Sequence, residues 1–169
     1  MIVSLIVAIP SNLVIGKNNN LIWNLPKDMK FFMETTTGHP VIMGRKNYES
    51  IPKKYRPLKN RVNVIITRNK SYKAEGCIVV NSIEDSLNAL EKSKINEAFV
   101  IGGGEIYKRF LEKKLIQRMY VTHINESFDG DTYFPEINFK EWNATQIMSH
   151  TKDQENPHDF KVKLYEKKD

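Results

Sequence analysis

The sequence has one cysteine, Cys77, among its 169 residues. No disulfide can close within the chain, and a reducing compartment, the cytoplasm, is expected. Glycine and proline are sparse, at 8 and 7, which excludes collagen-like and low-complexity architectures. No apolar run is long. Ile2 to Pro10 is interrupted by Ser4 and falls far short of the roughly 20 residues a membrane helix needs. That segment also lacks a basic stretch ahead of it, so it is not read as a secretory signal. The histidines His39, His123, His150 and His158 have no metal-ligand spacing with Cys77 or carboxylates, and neither G-x-S-x-G nor a P-loop occurs. Metal and covalent catalysis are therefore not expected.

What is present is an ordinary globular composition, 40% hydrophobic and 27% charged, over a length that suits one domain spanning residues 1–169. Lys and Arg exceed Asp and Glu by 26 to 20, a net charge of +6. The excess is local: ten basic residues and one acid, Glu49, lie between Arg45 and Lys73. Such a stretch suits either a phosphorylated or carboxylated ligand or a solvated loop cluster. A nucleic-acid-binding module is the competing class, but no RNP, zinc-finger or helix-turn-helix signature accompanies the cations.

Hydrophobic patterning predicts an α/β chain. Ile2 to Ile9, Pro40 to Met43, Val62 to Thr67, Cys77 to Val80 and Ala98 to Ile101 are short Val- and Ile-rich runs, as expected of strands buried on both faces of a mainly parallel sheet. Pro26 to Thr36 predicts a helix with Pro at its first turn, Met29, Phe32 and Met33 on a core face and Gly38 past its end. Ser82 and Asp85 open a second helix in capping-box style, and Ile106, Tyr107, Phe110 and Leu111 mark a third directly after three glycines. Arg118 to Asn125, Trp142 to Met148 and Phe160 to Tyr165 alternate polar and apolar residues, the pattern of half-exposed antiparallel strands. The expected architecture is a single-domain, mainly parallel central sheet with C-terminal antiparallel edge strands and flanking helices.

Four segments could carry chemistry. Val100-Ile-Gly-Gly-Gly-Glu-Ile-Tyr107 takes a buried strand through glycines into a helix, where backbone N–H groups can meet a phosphate. It does not match G-x-G-x-x-G, and a tight structural junction would look the same. Leu21 to Asp28 puts Asp28 in a first helical turn, favourable for an acid with or without a ligand. Its neighbours Trp23, Leu25, Phe31 and Phe32 would raise its pKa and suit it to a polarised heterocycle. Pro40 to Ile51 delivers Arg45 and Lys46 to the carboxyl end of a strand, where α/β sheets bind ligands. Thr122, beside His123 in a later strand, could hydrogen-bond a buried acid.

In this order the segments closely resemble dihydrofolate reductase of the bacterial chromosomal type. The matching pieces are Ile6-Val-Ala8, Val14-Ile-Gly16, Trp23-Asn-Leu-Pro-Lys-Asp28, Val41-Ile-Met-Gly-Arg45, Glu49-Ser-Ile51, Val100-Ile-Gly-Gly-Gly104 with Tyr107, Tyr120-Val-Thr-His123 and Gly130-Asp-Thr-Tyr-Phe-Pro135. They span nearly the whole chain. The resemblance implies NADPH-dependent reduction of 7,8-dihydrofolate to tetrahydrofolate, with hydride passing to pterin C6 and water-mediated protonation at N5, in support of one-carbon and thymidylate metabolism. It also implies a cytoplasmic monomer open to antifolate inhibitors, with no nucleic-acid or membrane partner. A related pyrimidine reductase of riboflavin synthesis is the nearer rival, and the Trp23 to Asp28 segment and Arg61 argue against it.

Carried over by residue, the resemblance implies that Asp28 holds the pterin, Thr122 braces it, Trp23 orders solvent and Leu21 sits on a gating loop. Ile6, Ala8, Phe32, Ile51 and Ile101 would line the substrate pocket, with Leu58 near the benzoyl group and Arg61 pairing with the glutamate α-carboxylate. For the cofactor, Ala8, Ile15 and Gly16 would meet the carboxamide end, and Tyr107 would lie near the nicotinamide. Gly103 and Gly104 would approach the pyrophosphate, and Ile101, Gly102, Glu105 and Ile106 would also belong to the cofactor site. Arg45 and Lys46, with Thr67 and Arg68, would hold the adenosine 2′-phosphate, and Gly44 and Asn47 would also belong to the cofactor site. Three positions depart from the family pattern: Asn47 stands where Thr or Ser is usual, Glu105 where some members carry a base, and Ile22 where Pro is common. The loop from Pro52 to Arg56 is about three residues longer than in compact members, so Arg56 aligns less securely than Arg61.

Overall fold

Strand β1 (Ile2–Pro10) sets the layers, because its successive side chains point to opposite sides. Val3, Leu5, Val7 and Ile9 enter one apolar cluster, while Ile6 enters another. In the computed structural model, which describes residues 1–169, β1 lies inside an eight-stranded sheet rather than at its edge. The other elements, in chain order, are β2 (Val14–Gly16), α1 (Pro26–Thr36), β3 (Val41–Gly44), α2 (Arg45–Ser50), β4 (Asn63–Ile66), β5 (Cys77–Val80) and α3 (Ile83–Glu91). They continue with β6 (Glu97–Gly102), α4 (Gly104–Glu112), β7 (Arg118–Ile124), β8 (Thr132–Tyr133), β9 (Trp142–His150) and β10 (Phe160–Lys167). The strand order is β5-β4-β3-β6-β1-β7-β10-β9. Neighbours from β5 to β7 pair in parallel, and β10 and β9 complete the sheet antiparallel. The expected mixed α/β architecture is the one found.

The two faces are covered by different helices. Ile83 and Leu90 of α3 and Ile106, Tyr107 and Phe110 of α4 join the cluster containing Leu5, Val64 and Val100. Phe31 and Phe32 of α1 and Tyr48 of α2 pack with Ile6, Met43 and Phe99 on the other side. Each fully buried aliphatic or aromatic side chain contributes roughly 1.5–3 kcal/mol to holding the layers together.

Several local expectations change. Arg118 to Ile124 is no antiparallel edge: β7 pairs in parallel with β1 and antiparallel with β10. Its alternation arises because Met119, Val121, Thr122 and Ile124 are buried while Tyr120 and His123 are only half-buried. Cys77 to Val80 is not covered on both faces. As the edge strand it leaves Ile78 37% exposed and Cys77 half-buried. Helix α4 starts at Gly104, inside the glycine run. Ser82 caps α3 as its sequence implies, accepting the Asp85 N–H at 3.0 Å.

Helix α1 departs most from its pattern. Phe32 is half-buried, but Met29 and Met33 are 47% and 50% exposed. Met29 and Met33 face a cavity, while Phe32 between them packs on the core. The start of α1 is held by the loop joining β9 and β10. Asn156 there is 1% exposed and accepts the Lys27 N–H at 3.0 Å. Asp153 in turn accepts the Asn156 backbone N–H at 2.7 Å. A second, two-stranded sheet of β2 and β8, which no alternating run announces, clasps residues 14–16 to 132–133.

Candidate active site

The parallel strands deliver their carboxyl ends to one edge of the sheet, the position at which such sheets bind ligands. A cavity of about 810 Å³ opens there, lined by Ala8 of β1, Gly44 at the end of β3, Ile66 at the end of β4 with Thr67 after it, and Ile101 of β6 with Gly103 just past its end. Every residue expected at the cofactor lines it except Gly102. Gly102 is a glycine for another reason: its φ is +119°, and a Cβ there would lie 3.1 Å from the Tyr107 ring. Tyr107 is buried beneath, donating its hydroxyl to the Ile6 carbonyl at 2.8 Å, and burial pushes its phenol well above the usual range.

Gly103 and Gly104 differ in the same way. A Cβ on Gly103 would meet no protein atom within 4 Å, so its bare backbone faces the open cavity. A Cβ on Gly104 would come within 3.1 Å of the Tyr133 carbonyl oxygen, so that glycine serves packing. The cavity wall is cationic: Arg45, Lys46, Arg68 and Arg109 line it against a single acid, Glu105. A phosphorylated dinucleotide fits this donor set. Arg45 donates to Glu49 at 3.1 Å and lies 5.7 Å over the Tyr72 ring, which holds the guanidinium at the rim. The Asn47 amide donates to the Ile101 carbonyl at 3.4 Å, tying α2 to the end of β6.

Asp28 sits in the first turn of α1, after Pro26. Thr122 of β7 donates to its Oδ1 at 2.6 Å. Burial raises the carboxyl pKa above the ordinary 3.8, opposed in part by this hydrogen bond. Thr122 is paired in register with Ala8 of β1, which lines the large cavity. The carboxylate is thereby held by the strand next to β1, whose Ala8 lines the larger cavity. A second cavity, about 490 Å³, lies on the other side of it, lined by Asp28, Met29 and Met33. Leu21 and Trp23 line both cavities and form their shared rim. Trp23 is buried against Phe128, ring centroids 5.3 Å apart, whereas Leu21 is 57% exposed. The loop bearing Leu21 is tied down by Asp131, whose carboxylate accepts the Asn18 N–H at 3.0 Å and is held below its usual range by that bond.

The remaining substrate residues, Ile101 apart, line neither cavity. Ile6, Phe32, Ile51, Leu58 and Ile101 all join or pack on the cluster beneath α1 and α2, and of these only Ile101 reaches the larger cavity. Arg61 is half-buried. It donates through Nε to the Lys59 carbonyl at 2.9 Å and through Nη1 to Thr36 Oγ1 at 3.0 Å. No carboxylate pairs with it, and burial lowers its pKa, so an anionic ligand would supply the missing counter-charge. Arg56 is occupied structurally, donating to the Tyr48 carbonyl at 3.2 Å and lying over the Tyr48 ring.

Some lining residues had no place in the sequence reading. Asn81 donates to the Thr67 carbonyl at 2.8 Å, and the Asn69 N–H is accepted by Thr67 Oγ1 at 3.1 Å, so the two asparagines fix the turn after β4. Nothing local in the sequence announces them. Arg109 pairs with Glu105 at 3.0 Å, and its i, i+4 spacing on a helix was legible.

Comparison with known proteins agrees with this geometry. A family model described as dihydrofolate reductase matches residues 2–167. The dihydrofolate reductase of Bacillus subtilis is 41% identical over 166 residues, covering 98% of this chain and 95% of that protein. That of Haemophilus influenzae is 40% identical over 168 residues, covering 99% and 100%. Among solved structures, a dihydrofolate reductase from Enterococcus faecalis complexed with NADP(H) and RAB-propyl superposes with a TM-score of 0.88. It is 32% identical and the match covers 99% of this chain and 97% of that one.

Proposed function

The chain belongs to the dihydrofolate reductase family, an NADPH-using group of oxidoreductases, and from that premise we propose how its residues divide the reaction. The substrate is 7,8-dihydrofolate, the product tetrahydrofolate; hydride goes to pterin C6 and a proton reaches N5 through water. Bound NADPH supplies the hydride. The protein's part is to align two rings and exclude bulk solvent.

Asp28 accepts hydrogen bonds from the pterin 2-amino group and N3, and Thr122 fixes the carboxylate that does so. Trp23 orders the water at N5, and Leu21 on its loop gates access. Ile6, Ala8, Phe32, Ile51, Leu58 and Ile101 provide the apolar walls, while Arg61 takes the glutamate α-carboxylate as a bidentate pair. Ala8, Ile15, Gly16 and Tyr107 bound the nicotinamide end. Gly103 and Gly104 approach the pyrophosphate, with Gly103 the residue whose backbone has room for it. Arg45 and Lys46, with Thr67 and Arg68, recognise the 2′-phosphate, and Gly44 and Asn47 also belong to the cofactor site. Small-molecule inhibitors that carry a cationic diaminopyrimidine compete through the same Asp28 contact.

The observation that carries this reading is the chain of contacts from Asp28 through Thr122 to Ala8, which sets a half-buried carboxylate beside a cationic, dinucleotide-sized cavity. The purified protein should oxidise NADPH only when dihydrofolate is present. Oxidation at the same rate without it, or none with it, sinks the proposal. The reading includes one domain over 1–169, in keeping with a sheet that holds strands from both ends of the chain, and a cytoplasmic monomer. Sedimentation of the purified protein tests the last point.

A further inference from the structure

Four cations and one acid line the large cavity, and the acid, Glu105, stands in the first turn of α4, two residues after Gly103, the glycine whose backbone is open to a ligand. An isolated carboxylate at that place would repel every phosphate the cavity admits. It is not isolated. Arg109, one turn on, donates through Nε to Glu105 Oε1 at 3.0 Å, and this is the guanidinium's one hydrogen bond to protein. Both Nη groups are left free on a side chain that lines the same cavity and is 36% exposed. The geometry therefore differs from that of an ordinary surface pair, in which neither partner faces a binding site.

We infer that Glu105 and Arg109 form a compensated pair at the cofactor wall, in which Arg109 neutralises Glu105 and offers its free Nη groups to a phosphate of the bound dinucleotide. The inference rests on the NADPH reading above. Arg109 is in this account a cofactor-binding residue. Glu105 orients it, since a guanidinium engaged through Nε presents its Nη edge in a fixed direction.

The pair makes a prediction that neither residue makes alone. Arg109→Gln removes a phosphate donor and also leaves Glu105 uncompensated, so NADPH should bind about tenfold more weakly. In a Glu105→Gln background the second loss is absent, and the same Arg109→Gln change should cost about threefold or less. Arg109→Lys restores the charge but not the fork geometry and should fall between wild type and Arg109→Gln.

The measurement is calorimetric titration of NADPH into wild type, the single variants and the double variant, with no substrate present, and thermal unfolding of each as a control for folding. NADH is titrated in parallel. An equal loss for both nucleotides assigns the contact to the diphosphate; a loss confined to NADPH assigns it to the 2′-phosphate. Unchanged NADPH affinity in Arg109→Gln overturns the inference, as does a double variant that binds no better than Arg109→Gln. Failure of the wild type to bind NADPH would instead overturn the functional reading on which the inference rests.

Discussion

Thr122 Oγ1 and Asp28 Oδ1 lie 2.6 Å apart across 94 residues of sequence. The bond joins the first turn of α1 to the centre of β7 and makes the carboxylate a fixed acceptor. Because burial raises the Asp28 pKa above 3.8, the unfolded chain gives up this proton first as pH rises. Stability therefore declines across the interval above 3.8, and the ionised carboxylate is a burden on the fold at neutral pH. Asp28→Asn should lower turnover at neutral pH by about 10²-fold or more while the melting temperature holds or rises. A variant that melts lower and keeps its activity would contradict both parts.

Thr122→Val removes the hydrogen bond that opposes this shift. The Asp28 pKa should rise further, so the acid limb of the kcat/KM profile should move to higher pH. The fold should lose about 1 kcal/mol, read from urea denaturation.

Arg61 has no acidic partner in the protein, only the Lys59 carbonyl and Thr36 hydroxyl. Arg61→Lys should raise KM for dihydrofolate about tenfold or more with a smaller effect on kcat, since a bidentate pair becomes a single contact. The difference between wild type and variant should vanish for a pterin substrate that lacks the glutamate.

His123 is held below its ordinary 6.5 by burial and by Lys163, and its Nε2 lies 2.8 Å from the Tyr165 hydroxyl. The neutral ring is the folded form. This contribution to stability is complete above pH 6.5 and is lost as pH falls below it, because the unfolded chain binds the proton more readily. Between pH 7 and pH 5 the urea midpoint should fall more for wild type than for His123→Asn.

Gly130 is where a Cβ would collide hardest, 2.3 Å from Val14 Cγ1 and 2.5 Å from the Gly16 carbonyl oxygen. Gly130→Ala should cost about 1–3 kcal/mol by prising β2 from β8. Limited proteolysis should then cut between residues 16 and 22 before the sheet unfolds.

The lining of the larger cavity was readable because it is built from local signals, the glycines and cations that directly follow buried strands. Its margins were not. Asn81 and Asn69 matter through one turn carbonyl and one hydroxyl of Thr67, a relation that spacing alone does not announce. The Met29 and Met33 stripe has the helical period of a core face. Periodicity reports which residues share a side and is silent on whether that side meets protein or a cavity. Likewise β7 alternates as an edge strand would, although strands lie on both sides of it.

The order of strands also governs when the protein can work. All residues lining the two cavities fall within the first 132. Yet β10, the last strand, is not at the margin of the sheet but is inserted between β7 and β9. A nascent chain halted before Phe160 would carry the whole cavity lining and still leave β7, with Thr122 on it, as a bare edge. The loop that ends in Asn156 would have no hairpin to hold it against Lys27. Assembly of the carboxylate site thus waits on the hairpin of β9 and β10, which covers the open side of β7 and carries Asn156 to the start of α1.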